Sequence, residues 1–132
     1  MINTLQDDNH CFVCGEKNHY GLHLKFSIHE GKVLSEFVPQ KVHQGYKDIV
    51  HGGIISTIID EAMVKAAIMQ GMPAVTAEIT VRFKKTLRVG EKVLIEATII
   101  NMNKKIIETS AQVRKADDTI IAEGHAKLLR QD

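Results

Sequence analysis

The segment from Gly52 to about Gln70 is the feature around which the rest of the chain has to be arranged. Ile54, Ile55, Ile58, Ile59, Ala62, Met63, Ala66, Ala67 and Met69 recur at spacings of three and four, which is helical periodicity. Gly71 stops the pattern, and Pro73 stands just beyond it. Between Ile54 and Gly71 the polar positions are only Ser56, Thr57, Asp60, Glu61, Lys65 and Gln70, so the apolar stripe is wide. A helix of that kind has to be wrapped by protein on most sides.

The flanking sequence supplies strands to do the wrapping. Two strand-like runs precede the helix, Leu22 to Ile28 and Lys32 to Val38, joined by His29-Glu30-Gly31, a hairpin-sized connection in which Gly31 can take a positive φ. Four follow it. Ala74 to Lys84 alternates, with Val75, Ala77, Ile79, Val81 and Phe83 predicted on one face and Thr76 on the other. Glu91 to Asn101, Lys105 to Lys115 and Thr119 to Arg130 continue the series, separated by turn-forming stretches at Asn101-Met102-Asn103-Lys104 and Ala116-Asp117-Asp118. The expected arrangement is an antiparallel meander. Two strands, one buried helix and four strands make an α+β domain, and a helix of about 18 residues, roughly 27 Å long, can lie along a curved six-stranded sheet. The sheet's edges would need a partner, and a twofold dimer is the simplest way to cover them.

At 132 residues, the length predicts one domain over 1–132, in which the polar stretch 1–21 forms a loop segment before the first strand. Seventeen Lys+Arg against sixteen Asp+Glu leave a net charge of +1, so no global field recruits nucleic acid or an anionic membrane. The opening residues MINTLQDDNH carry acids where an export signal needs bases and an apolar core, and no apolar run approaches a membrane span. The expected compartment is therefore cytoplasmic, with Cys11 and Cys14 reduced.

Chemistry concentrates in Val50-His51-Gly52-Gly53 and in Asp60. The first-turn N–H groups of a helix have no intrahelical acceptor and point outward with the positive end of the dipole, and two glycines let another molecule approach them. Such a terminus suits a developing oxyanion. Asp60 is an acid in an otherwise apolar helix, which is costly without a task or a partner. Glu61 has Lys65 four residues on, the favourable order for an exposed ion pair, whereas Asp60 has Ser56 and Val64 at those spacings. Asp60 is thus the candidate catalytic carboxylate. His51, just ahead of the helix, is read as ordering the loop or positioning substrate.

His-Gly-Gly followed by an acid nine residues after the His resembles the active-site helix of hotdog-fold acyl-CoA thioesterases of the phenylacetate-pathway (PaaI-like) type. The opening Cys11-Phe12-Val13-Cys14-Gly15-Glu16-Lys17-Asn18-His19-Tyr20-Gly21-Leu22 resembles that of a subgroup of the same superfamily, so the likeness runs over nearly the whole chain. It implies a hotdog fold and hydrolysis of an acyl-CoA thioester by a homodimer, or a dimer of dimers. It also implies roles. The Gly52 amide polarises the thioester carbonyl, and Asp60 of the other subunit activates water or attacks directly. Thr76 corresponds to a hydroxyl that orients the water. A side-chain amide contacts the carbonyl from six residues before the His; here that position is Gly45, and the nearest amide is Gln44, one residue earlier. Substrate contacts are also expected at His51 and Gly53. Arg82, Lys84 and Lys85, together with Arg88, Lys104 and Lys105, offer positive charge for the phosphates of coenzyme A.

No cofactor is expected, since coenzyme A would be part of the substrate. Cys11-x-x-Cys14 with His10, His19 and His23 nearby has the donor types of a zinc site, but the second half of a standard zinc motif is missing, and the expectation is no metal. Two rival functions fit the same fold: a hotdog enoyl- or 3-hydroxyacyl-CoA hydratase or dehydratase, which uses a His and acid pair, and a non-catalytic acyl-CoA binding module.

Overall fold

The computed structural model describes residues 5–132; residues 1–4, the start of the predicted N-terminal loop segment, lie outside the described residues. The described residues form one helix and one six-stranded antiparallel sheet. The elements are β1 (Ser27–His29), β2 (Lys32–Phe37), a short 3-10 turn (Lys41–His43), α1 (Gly52–Ile68), β3 (Ala74–Phe83), β4 (Val93–Met102), β5 (Ile106–Lys115) and β6 (Ile120–Arg130). The strand order is β1-β2-β4-β5-β6-β3. This is the hotdog arrangement expected, with the helix laid along the concave sheet.

Helix α1 runs as the periodicity predicts. Ile55, Ile58, Ile59, Ala62, Met63, Ala66 and Ala67 are buried against the sheet. It ends at Met69, where Gly71, at φ +82°, lets the Met72 N–H turn back to the Ala67 carbonyl at 3.0 Å. Close packing onto β6 depends on Gly124, because a Cβ there would overlap the Cγ2 of Ile59. The inner faces of β2, β4, β5 and β6 supply Val33, Phe37, Val93, Ile95, Ala97, Ile107, Val113, Ala122, Ala126 and Leu128 to the same core.

Three sequence expectations are corrected. The four strands after the helix are not a simple meander: of them only β4, β5 and β6 pair in succession, while β3 pairs with β6 at the far edge. The helix carries the chain across the sheet, so β3 cannot land beside β2, and β4 takes that place. The first strand is short. Residues 22–26 do not enter the ladder, because the amides of Leu22 and Leu24 donate instead to the carbonyls of Phe12 and Val13, each at 2.8 Å. Strand pairing begins at Ser27, and the β1–β2 reversal at Glu30 and Gly31 has positive φ at both residues, the type I′ geometry that suits a tight hairpin.

The third correction concerns β3. A bulge between Thr76 and Glu78 changes the phase of its alternation. Val75 lies opposite the exposed Leu129, Thr76 opposite the fully buried Leu128, and Ile79, Val81 and Phe83 opposite Ala126, Gly124 and Ala122. Val75 therefore does not share a face with Ile79, Val81 and Phe83, and Thr76 faces the helix. Beyond β6, β3 has no strand neighbour among the described residues, and Val75, Ile79 and Phe83 are exposed along that edge.

Candidate active site

The start of α1 is held in place by backbone hydrogen bonds from the loop before it. The Gly45 amide donates to the Ile49 carbonyl (2.8 Å), Val50 to Leu87 (2.8 Å), His51 to His43 (2.9 Å) and Val89 to Asp48 (3.0 Å). Between this loop, the first turn of the helix and residues 83–87 lies a cavity of about 730 Å³. Gly52, His51, Lys84 and Lys85, which the sequence named as candidates, are on its wall. Tyr46, Ile49 and Phe83 also line it and were not anticipated. Phe83 carries only the signal of a strand residue, and an aromatic next to Gly45 ahead of His51 was the available hint for Tyr46.

The two glycines have different roles in the structure. His51 is the N-cap of α1, and its Nδ1 accepts the Gly53 N–H at 2.8 Å. The imidazole proton then resides on Nε2. A Cβ at residue 53 would sit 3.0 Å from that Nδ1, so glycine is what lets the ring close over the amide. Gly52 is the first helical residue, and its N–H has no acceptor among the described residues. It alone of the pair presents a free amide to the cavity.

Asp60 is half-buried farther along the same helix. Its Oδ1 accepts the Thr76 hydroxyl at 2.6 Å, a contact that exists because the β3 bulge turns Thr76 inward. Eight residues separate Gly52 from Asp60, which on an α-helix is a rise of about 12 Å. Two groups that far apart on one rod cannot both touch a single carbonyl centre.

Other candidates are placed less favourably. The Gln44 Oε1 accepts the Asp48 amide at 3.0 Å and so closes the 44–50 loop; the residue is not on the cavity wall. Lys84 Nζ is 3.3 Å from Glu123 Oε1. Arg82 stands directly opposite Glu123 in the β3–β6 ladder, exposed and outside the cavity. The Arg88 amide donates to Glu91 Oε1 (2.9 Å) in the turn leading to β4. Lys104 and Lys105 occupy the β4–β5 turn, at the other end of the ten-residue β4, a distance of roughly 30 Å along the strand. The basic residues, expected as local groups on strand ends, thus lie at two ends of the sheet.

Glu61 corrects a further expectation. It forms no ion pair with Lys65; its Oε2 instead accepts from the Cys11 thiol at 3.4 Å. Cys11 Sγ, Cys14 Sγ and a Glu61 carboxylate oxygen all lie within 4.8 Å of one another. Burial, and then the hydrogen bond and negative charge of Glu61, push the Cys14 thiol up to about 12. The histidines near the cysteines turn elsewhere: His10 Nδ1 is 3.0 Å from the Asp8 carbonyl, and His23 Nε2 meets the Asn18 carbonyl. No helix among the described residues is long and apolar enough to cross a membrane.

The sequence pattern of the thioesterase superfamily matches residues 47–122, which include the loop, α1, β3, β4, β5 and the start of β6. Human acyl-coenzyme A thioesterase 13 is 28% identical over 103 residues, covering 75% of this chain and 74% of the relative. An Archaeoglobus fulgidus protein named as an esterase is 30% identical over 93 residues, covering 70% of this chain and 60% of its own length. Among solved structures, the E. coli PaaI protein from the phenylacetic acid degradation operon superposes with a TM-score of 0.77 at 20% identity, covering 83% of this chain and 80% of that one; this is a likeness of fold. With its helix-start glycines, its inward acid and a match over more than half its length, the chain belongs to the thioesterase superfamily.

Proposed function

We propose that the protein hydrolyses an acyl-CoA thioester to the free acid and coenzyme A, at a site shared between two copies of the chain. The observation that carries this reading is the spacing on α1. A free amide at Gly52 and a hydrogen-bonded carboxylate at Asp60, about 12 Å apart on one helix, serve one carbonyl only if each comes from a different subunit. The open β3 edge, with Val75, Ile79 and Phe83 exposed, is a surface suited to the second copy. The acyl-coenzyme A thioesterase name of the human relative supports the substrate class.

In this mechanism the thioester carbonyl oxygen accepts the Gly52 N–H, and the positive end of the helix dipole stabilises charge as it develops there. Asp60 of the second copy takes a proton from water, and the water oxygen bonds to the carbonyl carbon. Thr76, donating to Oδ1, leaves Oδ2 to face the water. Collapse of the tetrahedral species breaks the C–S bond. The thiolate leaves and takes up the proton that Asp60 acquired. Lys84 and Lys85 on the cavity wall are placed to meet the phosphates of coenzyme A.

The test is release of free thiol from a panel of short-, long- and aryl-chain acyl-CoA substrates. Asp60→Asn is expected to lower kcat by about a hundredfold or more, the range of a general base. Absence of thiol release across the panel, with Asp60→Ala no worse than the parent, would remove the proposal. Turnover of enoyl- or 3-hydroxyacyl-CoA without thiol release would assign a hydratase or dehydratase instead, and tight acyl-CoA binding without any turnover a binding module.

A further inference from the structure

Outside the cavity, the tightest gathering of metal-ligating side chains among the described residues is Cys11, Cys14 and Glu61. The two cysteines belong to the turn Cys11-Phe12-Val13-Cys14-Gly15, closed by the Gly15 N–H to the Cys11 carbonyl (2.8 Å) and the Lys17 N–H to the Asn9 carbonyl (2.9 Å). A Cβ at residue 15 would overlap the Cys11 backbone, so only glycine permits the turn. Val13, between the thiols, is buried in the core, and the Leu22 and Leu24 amides bond to the Phe12 and Val13 carbonyls. The turn is therefore anchored, and it holds both thiols toward α1. The helix answers with Glu61, one residue beyond Asp60.

We propose that Cys11, Cys14 and Glu61 form a zinc site that fastens the N-terminal turn to helix α1. The distances fit the ion. With Zn–S near 2.3 Å and Zn–O near 2.0 Å, a tetrahedral centre sets its sulfur and carboxylate oxygen ligands about 3.5 Å apart and its two sulfurs about 3.8 Å apart. Cys11 Sγ and Glu61 Oε2 are 3.4 Å apart, and all three donors fall within 4.8 Å of one another. Two thiolates and one carboxylate are a donor set for a borderline-soft divalent ion rather than for magnesium or calcium. With three protein donors, the fourth position is left to water. The sequence alone offered His10, His19 and His23 as the donor types near these cysteines, and its expectation was no metal. The helix supplies the third ligand instead, from 47 residues beyond Cys14.

The proposal is independent of the hydrolytic reading, because its readout is metal uptake. The full-length protein, stripped with a chelator and kept in a non-thiol reductant, is titrated with Co²⁺ and then with Zn²⁺ as competitor. The expected result is one ion per chain, a thiolate-to-cobalt charge-transfer band with the visible spectrum of tetrahedral Co²⁺, and a rise in Tm with zinc. Cys11→Ser and Cys14→Ser should each weaken the band and the Tm rise, and the double variant should lose both. Glu61→Gln preserves the side-chain shape, so it should keep the circular dichroism of the parent and the sulfur band while binding zinc at least about tenfold more weakly. Substitution of His10, His19 and His23 by Ala should leave uptake unchanged. The site is refuted if the parent takes up no cobalt or zinc at micromolar metal, if the double cysteine variant binds equally, or if Glu61→Gln has unaltered affinity. Loss of uptake on removing the histidines would likewise overturn it.

Discussion

The Thr76 hydroxyl donates to Oδ1 of Asp60 at 2.6 Å, joining the sheet's outermost long strand to the middle of the central helix. The contact exists only because β3 bulges one residue later, between Thr76 and Glu78. Without the extra residue, the strand's apolar residues would keep a single phase and Thr76 would point away from α1. The bulge thus orients the carboxylate as well as bending the strand.

If Thr76 positions Asp60, removing its hydroxyl should act on kcat more than on KM. A hydrogen bond to a charged group is worth about 1.5–3 kcal/mol, so Thr76→Val is expected to lower kcat by roughly ten- to a hundredfold. Thr76→Ser, which keeps the donor, should recover most of the rate. Steady-state kinetics on an active acyl-CoA substrate make the comparison. An equal loss in both variants would mean that the methyl group matters and the hydroxyl does not.

Gly52 offers an unusually selective test of a backbone amide. It is the first helical residue, a position that tolerates proline because its N–H has no intrahelical partner. His51 before it is extended, at φ −62° and ψ 130°, the conformation a residue preceding proline prefers. A Cβ at residue 52 would make ordinary contact with the Phe83 ring at 3.5 Å. Gly52→Pro should therefore fold, keep its circular dichroism and lose roughly a hundred- to a thousandfold in kcat. Mixing it after unfolding and refolding with Asp60→Asn should rebuild one intact site in each mixed dimer, restoring about a quarter of parental activity for random pairing. Additive, unrecovered loss in the mixture would place both groups in one subunit's site.

Acid should weaken the fold through Glu96. Its carboxyl is held below its ordinary value of 4.5 first by the hydrogen bond from Arg114 Nη1 (2.7 Å), with Lys32 adding to it and partial burial opposing. A depressed carboxylate gives stability that is fully present above its unfolded value and is lost as pH falls through the lower folded one. Tm measured from about pH 6 to about pH 3 should drop below pH 4.5, and Glu96→Gln should flatten that drop while lowering Tm at neutral pH. A variant whose acid slope matched the parent's would show that Glu96 is not the group responsible.

Thr109 is fully buried on β5, and its Oγ1 has no hydrogen-bond partner among the described residues. Desolvating a hydroxyl without a partner costs about 1–3 kcal/mol. Thr109→Val, which replaces the hydroxyl by a methyl of similar shape, is expected to gain about 1 kcal/mol and raise Tm by a few degrees. A lower Tm would mean that the added methyl is crowded where the oxygen was not.

The sequence was enough to determine the local structure and the residue types of the site. The spacing of Ile55, Ile58, Ile59, Ala62 and Met63 specified one buried helix, because helical periodicity and apolar burial are both local signals. Gly71 specified its end, and His51-Gly52-Gly53 with Asp60 marked where chemistry concentrates. Tertiary structure decided whatever depends on which distant segments meet. It put β3 beside β6, turned Thr76 inward through the bulge, gave Glu61 to the cysteines rather than to Lys65, and spent the Gly53 amide on the His51 ring while leaving Gly52 free. The physical reason is the same in each case. A strand's period is two, so one extra residue reverses every side chain after it. A helix surface offers Glu61 both a neighbour four residues on and a partner 50 residues away, and only packing chooses between them.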